Sequence, residues 1–227
     1  MTTTAASGVT APRGLTTVAP ARPAPAGPSP VRAHRTTTAT EVRGARLAGV
    51  SLLAVTVLAV PAAAVVSSAA PDGAAARLAG VAFLLVATLD VVAAWGLHLL
   101  LRRRATPAST ATLVSRAGYA ALLAGSAAVL AWPGGAGAPA FAREWSVALV
   151  VFGLHLVIAG TALWRTRIAP RAVALTTVVA GVAYLLDDVL TRLAAADASV
   201  VLVPLMLGEL VLVGWLLLTA RRGASAP

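Results

Sequence analysis

The chain has 227 residues, 59% of them hydrophobic and only 11% charged, with a net charge of +10. Globular domains carry about 25% charged residues; here that share is replaced by apolar runs of roughly 20 residues, the length that spans a bilayer, which excludes a water-soluble domain. All 18 basic residues are arginine and cysteine is absent, which rules out a disulfide framework and thiol chemistry.

In chain order, residues 1–42 mix Thr, Ala and Pro (Pro20, Pro23, Pro25, Pro28, Pro30) with scattered arginine. A segment with so few large apolar side chains cannot offset its ordering entropy, so it is expected to be a disordered cytoplasmic tail. His34 is incidental to it. An acid-poor, arginine-bearing start has the character of an organellar transit peptide, but the lack of lysine beside abundant Ala, Val and Arg points to a GC-rich bacterial genome.

Six apolar runs follow, at about Leu47–Val66, Leu78–Leu101, Leu113–Trp132, Trp145–Trp164, Ala172–Leu190 and Val200–Thr219. They predict an all-α polytopic membrane protein. Its expected form is a bundle of six transmembrane helices over residues 43–222, behind the disordered tail and ahead of a short tail at 223–227. The polar/apolar alternation of a porin-type barrel is absent. The first run resembles a signal sequence, but it exceeds a signal h-region and Pro71 suits a cleavage site badly, so it is expected to be retained. The hexapeptide ARLAGV occurs twice, at Ala45–Val50 and Ala76–Val81. The two copies open spans of opposite direction, which excludes a parallel tandem repeat.

Arginine placement predicts orientation. The tail arginines with Arg43 and Arg46, the run Arg102–Arg104, the group Arg165, Arg167 and Arg171, and the pair Arg221 and Arg222 all fall on one side. Only Arg77, Arg143 and Arg192 fall on the other, with Asp72, Glu144 and Asp197. By the positive-inside rule both termini are cytoplasmic, in a bacterial inner membrane. Trp132, Trp145 and Trp164 stand at run ends, where an aromatic belt is expected. The arginines lie between apolar runs rather than on a solvated basic face, so the expected partner is the lipid bilayer and not nucleic acid. A protein partner or a homo-oligomer is also compatible.

Chemistry, if the chain performs any, must use polar groups within the spans. A carboxylate at the centre of a span costs about 2.5–3.5 kcal/mol on insertion scales, so an ionisable group retained there is a functional candidate. Asp90, His155 and Glu209 each lie roughly nine to twelve residues in from the arginine-poor end. At about 1.5 Å per residue all three fall near the midplane. If their helices adjoin, they form a proton relay or an oxygen/nitrogen metal site. No paired HxxxH or ExxH spacing supports a metal, and no cofactor is expected. The competing reading is that each acid hydrogen-bonds a neighbouring helix; Ala93 and Ala94 beyond Asp90, and Ala159 beyond His155, offer small faces for such packing. Asp187 and Asp188 point about 100° apart on a helix. Asp188 is in reach of Arg192 as a surface pair, and Asp187 lies one turn from Tyr184 and is a further site candidate. Arg116 is expected to snorkel to headgroups, the alternative being a bundle-facing partner for an acid or for His98. Ala117, Ala121 and Gly125 form a small-residue ridge expected to pack against another helix.

From Gly153 onward the chain shows Gly-Leu-His (153–155), Gly160, the basic turn with Pro170-Arg171, Gly181, Tyr184-Leu185-Leu186-Asp187, Gly208-Glu209-Leu210 and Trp215-Leu216-Leu217. With Arg46-Leu47-Ala48-Gly49, Asp90, Leu100-Leu101-Arg102 and Arg116 upstream, this pattern resembles a bacterial six-helix membrane family known as a domain of unknown function, DUF4386. The resemblance spans about Arg46 to Arg222. It implies the six-helix fold and no activity.

No Walker motif, dinucleotide glycine fingerprint or GxSxG nucleophile elbow is present. The first expectation for function is therefore a membrane protein without catalysis that binds a lipid or a partner, or organises the envelope. A small proton-coupled carrier using Asp90, His155, Asp187 and Glu209 is the second. An intramembrane enzyme acting on a lipid or quinone with the same groups is the third.

Overall fold

The computed structural model describes residues 38–68, 73–132, 137–194 and 207–224. Among these the chain forms six helices and no strand: α1 (Ala39–Val66), α2 (Gly73–Leu101), α3 (Thr106–Ala131), α4 (Gly137–Thr166), α5 (Arg171–Ala194) and α6 (Gly208–Ala224). Five of them, α1 to α5, are long and apolar enough to cross a membrane. The chain is a multi-pass helical membrane protein. Residues 1–37, Pro71, Asp72, Asp197, the Arg192 side chain, the first part of the sixth apolar run (200–206) and residues 225–227 lie outside the described residues.

Helix starts explain how depth is set. Helix α1 takes in Ala39–Val42, which the sequence leaves to the tail, because Thr38 and Glu41 form a capping box. The Glu41 amide donates to Thr38 Oγ1 at 3.3 Å, and the Thr38 amide donates to Glu41 Oε2 at 2.9 Å. Such a box satisfies two of the helix's first donors, which otherwise lack partners. Helix α3 begins at Thr106, ahead of its apolar run at Leu113, with Pro107 in its first turn, where a missing amide hydrogen costs nothing.

Each helix packs on its neighbours in sequence, and α6 closes the ring by packing on α1 and α5. Glycines set the closest approaches. At Gly44 and Gly96, α1 and α2 come so near that an added Cβ on Gly96 meets the Ala48 amide nitrogen at 2.5 Å. Gly153 and Gly181 do the same for α4 and α5, where a Cβ on Gly181 meets the Gly153 carbonyl at 2.6 Å. Backbone-to-backbone contact of this kind is how small residues hold helices together where lipid removes the hydrophobic drive between them. Among the described residues of this chain, the ridge of Ala117, Ala121 and Gly125 makes no such close approach. Ala121 and Gly125 are exposed and nothing lies within 4 Å of a Cβ on Gly125, because α3 turns its polar stripe inward and this ridge outward.

The buried apolar residues form two clusters. One joins Ala45, Leu52, Ala93, Leu97, Leu163, Val173, Leu212 and Leu216. The other joins Phe83, Val86, Leu123, Leu130, Phe141, Phe152 and Leu156. The first cluster lies toward the end where the arginines gather: Glu41 at the start of α1 pairs with Arg104 after α2 at 2.9 Å, and Arg171 stacks on Trp164 across the α4–α5 turn at 5.5 Å. Trp132 and Trp164 are exposed. Trp145 departs from the expected belt: α4 starts at Gly137, so Trp145 sits two turns in and packs on Phe83 and Phe141, each at 5.3 Å.

Candidate functional site

Between the two apolar clusters lies a layer of polar side chains. On α2, Asp90 falls between Ala87 of one cluster and Ala93 of the other; on α4, His155 falls between Phe152 and Ala162. At about 1.5 Å per residue, Asp90 stands roughly 18 Å along α2 from Arg102, and Glu209 roughly 18 Å along α6 from Arg221. Arg116 is roughly 15 Å into α3, and His155 roughly 15 Å from Arg165 on α4. Half of a bilayer's ~30 Å hydrocarbon core is about 15 Å, so all four share the middle of the bundle.

Arg116 is the hub. Its side chain is fully buried, the largest in the core to be so. Its Nε donates to Asp90 Oδ1 at 2.8 Å and its Nη2 donates to the same oxygen. Its Nη1 and Nη2 both reach Glu209 Oε1 at 3.3 Å. The guanidinium also lies over the Phe152 ring, 5.2 Å from its centre, a cation–π contact strengthened by the dry surroundings. Arginine suits this position because its planar fork offers five donors with fixed directions.

The two acids differ. Asp90 is inaccessible and held tightly, although its Oδ2 has no hydrogen-bond partner among the described residues. Glu209 is held at longer range, and its side chain keeps 21% of its exposure.

His155 faces α3 instead of the acids. Its Nδ1 lies 3.1 Å from the Thr112 carbonyl and 3.2 Å from Ser115 Oγ. A carbonyl only accepts, so Nδ1 carries the hydrogen; in the neutral ring Nε2 is then a lone-pair acceptor. That Nε2 is buried and unpartnered among the described residues. Phe152 links the parts: it stacks near His155 at 6.3 Å, packs on Tyr119 at 4.8 Å and meets Tyr184 edge-on at 5.0 Å.

Asp90 and Glu209 are thus brought together through Arg116, which donates to both. The expected snorkelling of Arg116 is overturned. Helix α3 starts seven residues before its apolar run, which carries Arg116 about two turns deeper than the run alone implies. Its partners are the two acids and not His98, which stacks on Trp95 at 5.4 Å. Asp187 and Asp188 lie away from this layer, beside Tyr184, Arg143 and Ser146 around a cavity of about 530 Å³ between α4 and α5. Ala93, Ala94 and Ala159 are fully buried, as their small faces predict. Thr112, Ser115 and Phe152 were not foreseen. The available signal was the spacing of Ser109, Thr112, Arg116, Tyr119 and Ser126, a buried polar stripe at helical period on α3.

A family model described as a domain of unknown function (DUF4386) matches residues 44–220. The chain belongs to the DUF4386 family. The matched region of this DUF4386 protein includes Asp90, Arg116, His155 and Glu209. No curated protein and no solved structure matches it. Among the described residues, no group of three or more His, Cys, Asp or Glu side chains is arranged to hold a metal ion.

Proposed function

We propose that this DUF4386 protein is a proton-coupled membrane carrier whose exchangeable proton resides on Glu209. The observation that carries the reading is one guanidinium shared by two carboxylates at mid-depth. With both acids ionised the group has a net charge of −1; one proton makes it neutral. Holding an uncompensated charge in a bilayer centre costs on the order of 3 kcal/mol, so loading and unloading that proton changes the energy of the bundle. Glu209 is the carboxylate that exchanges, because its contacts to Arg116 are longer and its side chain is less fully enclosed than that of Asp90. Asp90 acts as the permanent counter-ion of Arg116 and holds it in place. A location in a bacterial inner membrane with both termini cytoplasmic completes the reading, supported by the arginines that gather at one end.

A second reading, a binding or structural protein without transport, is favoured by Arg116 tying α2, α3 and α6 together between two apolar clusters. Infrared difference spectroscopy of the reconstituted protein separates the two. The carrier reading expects a protonated-carboxyl band that changes with pH and is lost in Glu209→Gln. A band that survives in Glu209→Gln, or no titrating band at all, supports the structural reading. Dye-loaded liposomes screened with small solutes under a pH gradient then test coupled uptake.

A further inference from the structure

At the arginine-rich end, α6 meets α1. Gly223 abuts the Val42 side chain so closely that an added Cβ clashes with Val42 Cγ2. Beside that contact lies a cavity of about 350 Å³ lined by Ala39, Val42, Arg43, Arg46 and Gly223, at the lower end of the sizes that hold small ligands. Arg43 and Arg46 are three residues apart on α1, hence on one helix face, and both are exposed.

The charge balance there is one-sided. Among the described residues Glu41 is the one acid at this end of the bundle, and it is already engaged. Its Oε1 accepts from Arg104 Nε at 2.9 Å, and its Oε2 accepts from the Thr38 amide at 2.9 Å. Arg43 and Arg46 make no ion pair with an acid among the described residues. Arg46 also immediately precedes Leu47, where the apolar run begins, so the groove lies at the level of lipid phosphates in a bilayer.

The geometry points to this α1–α6 groove as a binding site for the phosphate of an anionic phospholipid. Two guanidinium forks on one helix face match a tetrahedral phosphate, which accepts paired N–H donors from each. Basic pockets between membrane helices are a recurrent way of holding anionic headgroups. The diacylglycerol part of the ligand lies along the adjoining apolar surface, where Val50 and Leu53 are exposed further along α1. A zwitterionic lipid carries a cation on the same headgroup and is the weaker ligand. The site is independent of the buried Arg116 layer.

The test uses the full chain in an uncharged detergent, with thermal melting followed while lipid is added. Short-chain phosphatidylglycerol is expected to raise the melting temperature saturably, and phosphatidylcholine to do so far less. In the Arg43→Gln/Arg46→Gln double variant the apparent Kd for phosphatidylglycerol is expected to rise about tenfold or more. The matched control, Arg77→Gln/Arg143→Gln, removes the same charge from the opposite end and is expected to leave that Kd unchanged. Arg43→Lys/Arg46→Lys keeps the charge without the forks and is expected to fall between. An equal loss in the control pair, an unchanged Kd in the groove variant, or an equal shift with inorganic phosphate alone overturns the proposal. All four substituted residues are solvent-exposed, and elution as wild type on gel filtration confirms that the variants fold.

Discussion

Arg116 on α3 donates to Asp90 on α2 through two of its nitrogens, and both side chains are sealed inside the bundle. Glu209 on α6 accepts from the outer edge of the same guanidinium at 3.3 Å. A single arginine thereby holds three helices at one depth, and the differences between its two acids govern what mutation does.

Removing the arginine leaves two carboxylates facing apolar side chains. Arg116→Met is expected to destabilise the protein by about 3–5 kcal/mol, the usual cost of stranding a buried charge. Arg116→Lys is expected to recover part of this at most, since an ammonium cannot serve Asp90 and Glu209 with a fixed fork. Thermal melting in detergent measures both.

Neutralising the acids is expected to give unequal results. Asp90→Asn replaces an acceptor of two charge-assisted bonds and is expected to cost about 2–3 kcal/mol. Glu209→Gln leaves Arg116 paired with Asp90 as a neutral unit and is expected to change stability by less than about 1 kcal/mol in either direction. Equal losses in the two variants contradict the assignment of Asp90 as anchor and Glu209 as the exchanging group.

Helix contacts supply a test that does not involve charge. In Gly96→Ala the new methyl meets backbone atoms of α1, the nearest at 2.5 Å, and backbone cannot move aside cheaply. A loss of about 1–3 kcal/mol is expected. Gly118→Ala is the control: nothing lies within 4 Å of its added Cβ. There alanine is expected to be neutral or to add up to about 1 kcal/mol through helix propensity. The two melting temperatures are compared directly.

The start of α1 depends on Thr38 and Glu41 acting together. Thr38→Ala removes one half of the capping box and is expected to cost about 1 kcal/mol. Glu41→Gln can still cap but loses the charge that Arg104 pairs with at 2.9 Å. That pair is partly exposed, so the change is expected to be under about 1 kcal/mol. Amide hydrogen exchange at Val42–Ala45 reads the fraying of the first turns in each case.

Local composition was enough to determine the class of this protein. Apolar runs of bilayer length, separated by arginines, require helices, because a backbone in lipid must satisfy its own hydrogen bonds. The same reasoning singles out Asp90, His155 and Glu209, since each charge or imidazole in an apolar run is costly wherever its helix goes. The tertiary structure alone decided which of them meet. Arg116 falls near the start of an apolar run, and its depth depends on where α3 begins, which the polar first turns and Pro107 control. Its role as hub depends on Asp90 of α2 and Glu209 of α6 converging on one α3 side chain, a matter of how the six helices pack that no single helix encodes. The outward turn of Ala121 and Gly125 has the same origin: a small-residue ridge and a polar stripe compete for the inner face of α3, and the stripe wins because Arg116 and Thr112 cannot face lipid at comparable cost.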